Sequence, residues 1–204
     1  MDFHEKPNQS EEPFTSYGHY TYLDYLHWQM DEMVELIKGK VFRAAAAPRR
    51  IHQQILLEMA RKFADHLDQH PCRVFIAPFD VRLPKDSNLP EKIDTVIQPD
   101  ICVVCDRSKL DDRGCLGAPD LVVEILSPGN NQKELKQKYD VYEKSGVKEY
   151  WIIHPDEQTL LVYRLINGAY QPTRLLTHGD LVHSQVITGF KLNISDLFES
   201  SEDK

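Results

Sequence analysis

The clearest periodicity in the chain lies between Pro48 and Gln69. Ile51, Ile55, Met59, Phe63 and Leu67 recur every fourth residue, and Pro48 suits a first turn. The spacing predicts an amphipathic helix over that span. Tyr22, Tyr25 and Leu26 predict a short helix within Thr21–Gln29. MVELI and KVFRA, on either side of Lys38-Gly39, read as a tight hairpin. Strands are expected over Arg73–Leu83, Ile101–Cys105 and Leu121–Leu126, then a second helix over Asn130–Lys144 stopped by Ser145-Gly146. Lys148–Ile153 reads as a strand. Thr159–Ile166 and Ala169–Thr177 form a hairpin about Asn167-Gly168, and Asp196–Phe198 a last turn.

This order predicts an α/β (α+β) fold with a mixed central β-sheet and one helix on each face. An additional C-terminal β-hairpin extends that sheet or builds a second one; the pattern leaves this open. A length of 204 residues suits one domain, expected over 19–198, after a lead-in over 1–18 and before a mobile tail over 199–204. The first residues, MDFHEKPNQSEEPFTS, are polar and acidic and have no apolar core or cleavage pattern, so they read as disordered, not as a signal peptide. The longest apolar runs are far below the roughly 20 residues of a membrane span. No membrane partner and a cytoplasmic location are therefore expected.

Charge narrows the partners. With 24 Lys+Arg against 32 Asp+Glu, the net charge of −8 excludes a uniformly basic nucleic-acid binder. It leaves one that uses a local patch and a metal. The four cysteines are Cys72, Cys102, Cys105 and Cys115. Cys102-Val-Val-Cys105 has knuckle spacing, but strand positions three apart face opposite sides and cannot share zinc. Without an export signal, disulfides are not expected, and the cysteines read as core residues.

LVVEIL carries the chemistry. One acid, Glu124, interrupts an otherwise apolar strand. A buried carboxylate is costly unless a cation neutralises it, either a Lys or Arg or a metal. Asp100, Cys102 and Val104 share one face of the preceding strand; Asp120, Val122, Glu124 and Leu126 share one face of theirs. If those faces coincide, two carboxylates converge and cannot both stay ionised without a cation. Oxygen-only ligation suits Mg²⁺ or Mn²⁺. Arg49 and Arg50, beside the start of the long helix, are candidate phosphate contacts.

QPDICVVCD, then GAPDLVVEILSP, a Lys-bearing helix and YEKSGVKEYWIIHP resemble the Uma-two (Uma2) family of restriction endonuclease-like proteins, within the PD-(D/E)xK nuclease superfamily. VELIKGKVF, PRRIHQQILLEM and APFDVRL fit the same order, so the resemblance runs from about Tyr20 to Leu165. It implies a restriction endonuclease-like fold and a metal-dependent DNA endonuclease leaving 5′-phosphate and 3′-hydroxyl ends. Asp100, Glu124 and the carbonyl of Ile125 would hold Mg²⁺ (or Mn²⁺). Leu126 stands where the motif has Lys, and the family resembles members whose Lys has moved to the next helix, a position matched by Lys138. Glu35, among the candidate catalytic residues, matches an early Glu that such nucleases add to the metal shell; the other reading is an exposed hairpin acid.

Four residues are candidate accessories. Asp80 would help the metal or pair with a cation, and Gln98 would orient a water. His52 would touch phosphate or cap its helix. Asp120 reads as a strand-start residue or an outer site residue. The superfamily also implies a homodimer. The alternative is a catalytically degenerate nucleic-acid-binding or assembly protein on the same fold. Within the second helix, Leu135, Tyr139 and Tyr142 form the apolar face with Lys138 at its edge; Lys133, Lys136 and Lys144 lie roughly opposite.

Overall fold

The computed structural model describes residues 18–28, 33–43, 47–127 and 132–199. Nearly all of the expected lead-in and tail, with Gln29, Ala44 and Asn130 from the expected elements, lie outside the described residues. The chain opens with α1 (Tyr22–Tyr25), where the Thr21 N–H and hydroxyl both donate to Asp24. β1 (Val34–Ile37) and β2 (Lys40–Arg43) turn at Lys38-Gly39, both left-handed with φ of 52° and 74°. α2 (Arg50–Leu67) follows, burying Ile55, Met59, Phe63 and Leu67 as the four-residue spacing requires.

The expected strand Arg73–Leu83 is two strands. β3 (Arg73–Ile76) and β4 (Val81–Arg82) belong to different sheets. Ala77-Pro78 separates them, and proline has no N–H to continue a ladder. Next come β5 (Val96–Ile97), β6 (Ile101–Val104), β7 (Leu110–Asp111), β8 (Gly114–Leu116) and β9 (Leu121–Ile125). α3 (Gln132–Ser145) crosses to β10 (Glu149–His154), which runs parallel to β9. β11 (Thr159–Ile166) and β12 (Ala169–Pro172) form the Asn167-Gly168 hairpin. β13 (Leu181–His183), β14 (Lys191–Asn193) and α4 (Ile194–Glu199) close the chain.

The main sheet has the order β12-β11-β10-β9-β6-β3, so the closing hairpin extends it. A second sheet, β2-β1-β5-β4-β8-β7, goes beyond the single central sheet that the sequence predicts, and among the described residues β13 pairs only with β14. Several second-sheet strands have two or three residues, too few to show alternation. Alternate side chains of β9 enter two cores. Leu121, Val123 and Ile125 pack with α2 and α4; Val122 packs with Val141 and Tyr142 of α3 and with the second sheet. Each such fully buried aliphatic or aromatic side chain contributes roughly 1.5–3 kcal/mol. The expected helix on each face of the main sheet is present. Among the described residues no helix is long and apolar enough to cross a membrane.

The cysteines need a correction. Cys72 and Cys105 stand opposite each other, one step beyond the Arg73↔Val104 pair, and are joined by a disulfide. Register brings together residues that lie 33 apart in sequence. Cys102 faces the α3 side and Cys105 the α2 side, so CVVC makes no shared metal site.

Candidate active site

β6 and β9 run antiparallel with Ile101 opposite Val123 and Cys102 opposite Val122. Continuing that register sets Asp100 opposite Glu124 and Pro99 opposite Ile125. The two faces therefore coincide. Because Pro99 has no N–H, the ladder ends there and cannot supply a donor to the Ile125 carbonyl. The Ile125 N–H instead donates to Asp100 Oδ2 at 2.7 Å.

Glu124 is 7% exposed and Lys138, from α3, is 5% exposed. Lys138 Nζ lies 3.0 Å from Glu35 Oε1, 3.2 and 3.3 Å from the two Glu124 oxygens, and 4.0 Å from Glu134. The Tyr142 hydroxyl donates to Glu124 Oε1 at 2.7 Å. Glu134, Lys138 and Tyr142 follow one another at four-residue intervals, so one stripe of α3 supplies all three. Lys136 and Lys144 are exposed, as the helical arc requires.

Electrostatics follow from this crowding. Burial, with Asp100 and Glu35 adding negative charge, pushes the Glu124 carboxyl up to about 8 against the pull of Lys138. Burial favours loss of the Lys138 proton, but Glu124 and Glu35 outweigh it and hold the ammonium above its ordinary value. Burial and the Glu124 charge keep the Tyr142 hydroxyl protonated as a donor.

The candidate accessories separate into groups. His52, in the first turn of α2, is 6% exposed, and its Nε2 lies 3.2 Å from Asp100 Oδ1. Its Nδ1 is buried without a hydrogen-bond partner among the described residues. Gln98 donates its backbone N–H to Glu35 Oε1 at 2.8 Å. Its side-chain Nε2 reaches Asp80 Oδ1 at 2.8 Å and the Tyr25 hydroxyl at 3.1 Å. Among the described residues Asp80 thus meets Tyr25 and Gln98 and no basic side chain. Asp120 stands at the opposite end of β9, bonded to the Cys105 N–H and to Lys148. Arg49 pairs with Asp156, and Arg50 donates to Gln54; both are exposed near Asp100's end of the sheet.

Asp100, Glu124 and the Ile125 carbonyl make an oxygen-only donor set. Among the described residues no three His, Cys, Asp or Glu side chains converge into a metal cage. Mg²⁺ does not need one, since one or two carboxylates plus water and phosphate oxygens are its ordinary complement. The set therefore fits a hard divalent cation and does not fit zinc. Sequence reasoning placed Tyr142 beside Lys138 as an apolar-face residue but missed its hydroxyl as a donor to Glu124, and it missed Glu134, although its spacing from Lys138 carried the signal. It also missed Tyr25, which no local pattern connects to residue 98.

The family model of Uma2, described as "Putative restriction endonuclease", matches residues 22–195. A crystal structure from Anabaena variabilis, titled as a "putative nuclease belonging to DUF820", is similar with a TM-score of 0.70 and 26% identity. That likeness covers 89% of this chain and 98% of the other. An uncharacterized protein of Synechocystis sp., slr1290, is 22% identical over 132 residues, which are 64% of this chain and 65% of that protein.

Proposed function

The chain belongs to the Uma2 family, and from that membership we propose that it is a Mg²⁺- or Mn²⁺-dependent endonuclease hydrolysing phosphodiester bonds in DNA. The family and its solved neighbour support nuclease-like function. One observation carries the finer reading. A buried lysine from the helix after the (D/E)xK acid reaches that acid at 3.2 Å, opposite the Asp of PD.

In this reading Asp100, Glu124 and the Ile125 carbonyl would hold the cation, whose chemistry there would be to acidify a water and to polarise a phosphate oxygen. Lys138, held protonated by Glu124 and Glu35, donates a hydrogen bond to the attacking oxygen or to the charged phosphoryl group. Tyr142 fixes the rotamer of Glu124. Arg49 and Arg50 at the α2 N-terminus steady the DNA backbone. Cleavage leaves 5′-phosphate and 3′-hydroxyl ends, and two strands are cut by two copies of the chain.

The test is plasmid cleavage with Mg²⁺, Mn²⁺ or EDTA, beside calorimetric titration with Mn²⁺. Cleavage in Mn²⁺ and not in EDTA, lost together with Mn²⁺ binding in Glu124→Ala, supports the proposal. Equal Mn²⁺ binding by Glu124→Ala would sink it. A second reading rests on the same geometry: Lys138 already neutralises Glu124, as it would in a degenerate scaffold that binds nucleic acid without cutting. That reading requires DNA binding with no cleavage in any metal.

A further inference from the structure

The catalytic lysine is held by Glu35, and Glu35 is held by a backbone N–H belonging to Gln98. What holds Gln98 is a three-membered side-chain cluster from two distant segments. The Tyr25 hydroxyl donates to Asp80 Oδ1 at 3.0 Å, and Gln98 Nε2 donates to the same oxygen at 2.8 Å. Gln98 Nε2 also lies 3.1 Å from the Tyr25 oxygen. A carboxylate only accepts, so both partners must present hydrogens to it, and the amide has one orientation. Burial and Asp80 both keep the Tyr25 hydroxyl protonated.

Asp80 is itself pinned by its main chain. Its carbonyl accepts the Cys115 N–H at 2.8 Å, and Gly114 passes so close that a Cβ there would stand 2.2 Å from that oxygen. Gly114 also has φ of +115°, so the approach needs glycine for two reasons. Two residues past Gln98 the same segment carries Asp100. One immobilised amide therefore sets the carboxylate that seats the lysine and anchors the segment bearing the PD acid.

We propose that Tyr25 and Asp80 are positioning residues: they clamp Gln98 so that its backbone N–H orients Glu35 and, through it, Lys138. This rests on the endonuclease reading for its kinetic consequence only. It assigns Asp80 a neutral hydrogen-bonding task instead of a place on the metal. Both bonds end on one oxygen, so an asparagine at this position can accept both.

The experiment compares Asp80→Ala, Asp80→Asn and Tyr25→Phe with the full wild-type chain. One readout is Mn²⁺-dependent plasmid nicking. The other is acetylation of Lys138 by acetic anhydride, followed by peptide mass spectrometry with the exposed Lys136 and Lys144 as internal standards. Asp80→Ala and Tyr25→Phe should lower kcat roughly three- to tenfold, the scale of one net hydrogen bond, with KM for DNA unchanged. Lys138 acetylation should rise by a similar factor in both. Asp80→Asn should restore kcat and protection together. Equal losses in Asp80→Asn and Asp80→Ala would overturn the proposal, because Asp80 would then act through its charge. Unchanged Lys138 acetylation in Tyr25→Phe and Asp80→Ala would also overturn it. Failure of the wild type to nick DNA in any metal defeats the endonuclease reading instead, and the acetylation ratios still decide the clamp.

Discussion

Pro99-Asp100 and Pro119-Asp120 stand at opposite ends of one antiparallel ladder, and they do the same local work. Continuing the β6–β9 register sets Pro99 opposite Ile125, while at the other end the Asp120 N–H bonds the Val103 carbonyl and Pro119 lies just beyond the ladder. In each case a proline without a ladder N–H stands where the pairing stops, and the aspartate beside it accepts a main-chain N–H of the partner strand. Asp100 takes the Ile125 N–H at 2.7 Å and Asp120 the Cys105 N–H at 2.7 Å. The other oxygen of each acid differs. Asp120 meets Lys148, whose side chain is 64% exposed, beside the Cys72–Cys105 bridge. Asp100 meets the buried His52 and sits opposite Glu124, which shares a buried lysine with Glu35. The dipeptide is thus a strand-end device in both places. Among the described residues a buried lysine is added at one of these ends, by the helix α3, where it meets Glu124 and the β1 acid Glu35.

The largest expected effect separates those ends by cleavage. Asp100→Ala should lose nicking by about 10²–10³, the scale seen when a group that stabilises transition-state charge is removed. Lys138→Ala should do the same while Mn²⁺ still binds. Asp120→Ala should nick like the wild type in a plasmid assay with Mn²⁺. Matching losses at Asp100 and Asp120 would break the comparison.

Stability should rank the two acids the other way, with a smaller effect. Asp120→Ala strands the Cys105 N–H and frees Lys148, a cost of about 1–3 kcal/mol for an unsatisfied buried donor. Asp100→Ala strands the Ile125 N–H and removes the partner of the buried His52 Nε2, but it also removes a negative charge beside Glu124, and that relief is expected to outweigh the loss at His52. Urea unfolding of metal-free protein should therefore give Asp120→Ala the lower midpoint with an unchanged slope. An equal or lower midpoint for Asp100→Ala would mean that relief of the charge beside Glu124 is smaller than the loss of the His52 contact.

The sequence shows why one end is readable and much of the rest is not. Glu124 announces itself as an acid within an apolar run, and the arc of α3 singles out Lys138 from Lys136 and Lys144. Lys38-Gly39 and Asn167-Gly168 mark their hairpins because each residue adopts positive φ there. Those signals are local. The coincidence of the Asp100 and Glu124 faces was conditional, because strand adjacency and register are set by partners far along the chain. The Gln98 N–H that holds Glu35 is a main-chain group, invisible in residue identity. His52 reads as a helix-start residue until α2 is laid against the main sheet. Val81–Arg82 and Val96–Ile97 are too short to show a period. The Cys72–Cys105 bridge needs the β3–β6 register, which no local pattern carries.

The smallest expected effect is a pH slope that belongs to the Glu124 end. Burial and the neighbouring Asp100 and Glu35 raise the folded-state pKa of Glu124 from an ordinary 4.5 to about 8. The folded chain therefore binds the Glu124 proton more tightly than the unfolded chain does. Between those two values the native state holds more protons, so unfolding free energy falls as pH rises. The contribution is fully present below about 4.5 and lost once pH passes about 8. Lys138 adds no slope in this window, because it is protonated in both states well below its ordinary 10.5, and its folded value is higher still. Asp106, Asp111 and Asp180 are lowered from 3.8, so their opposite slope is finished by pH 5.5. The unfolding free energy of metal-free protein, from urea titrations between pH 5.5 and 8, should decline by about 1.4 kcal/mol or more, the value of one pKa unit. Glu124→Gln carries no titrating group and should flatten that decline. Asp120→Asn should keep it, because its acid lies at the other end of the strand. Glu134, at the same end, is also raised by burial, so a decline that survives Glu124→Gln combined with Glu134→Gln would assign the proton elsewhere and remove the electrostatic distinction between the two ends.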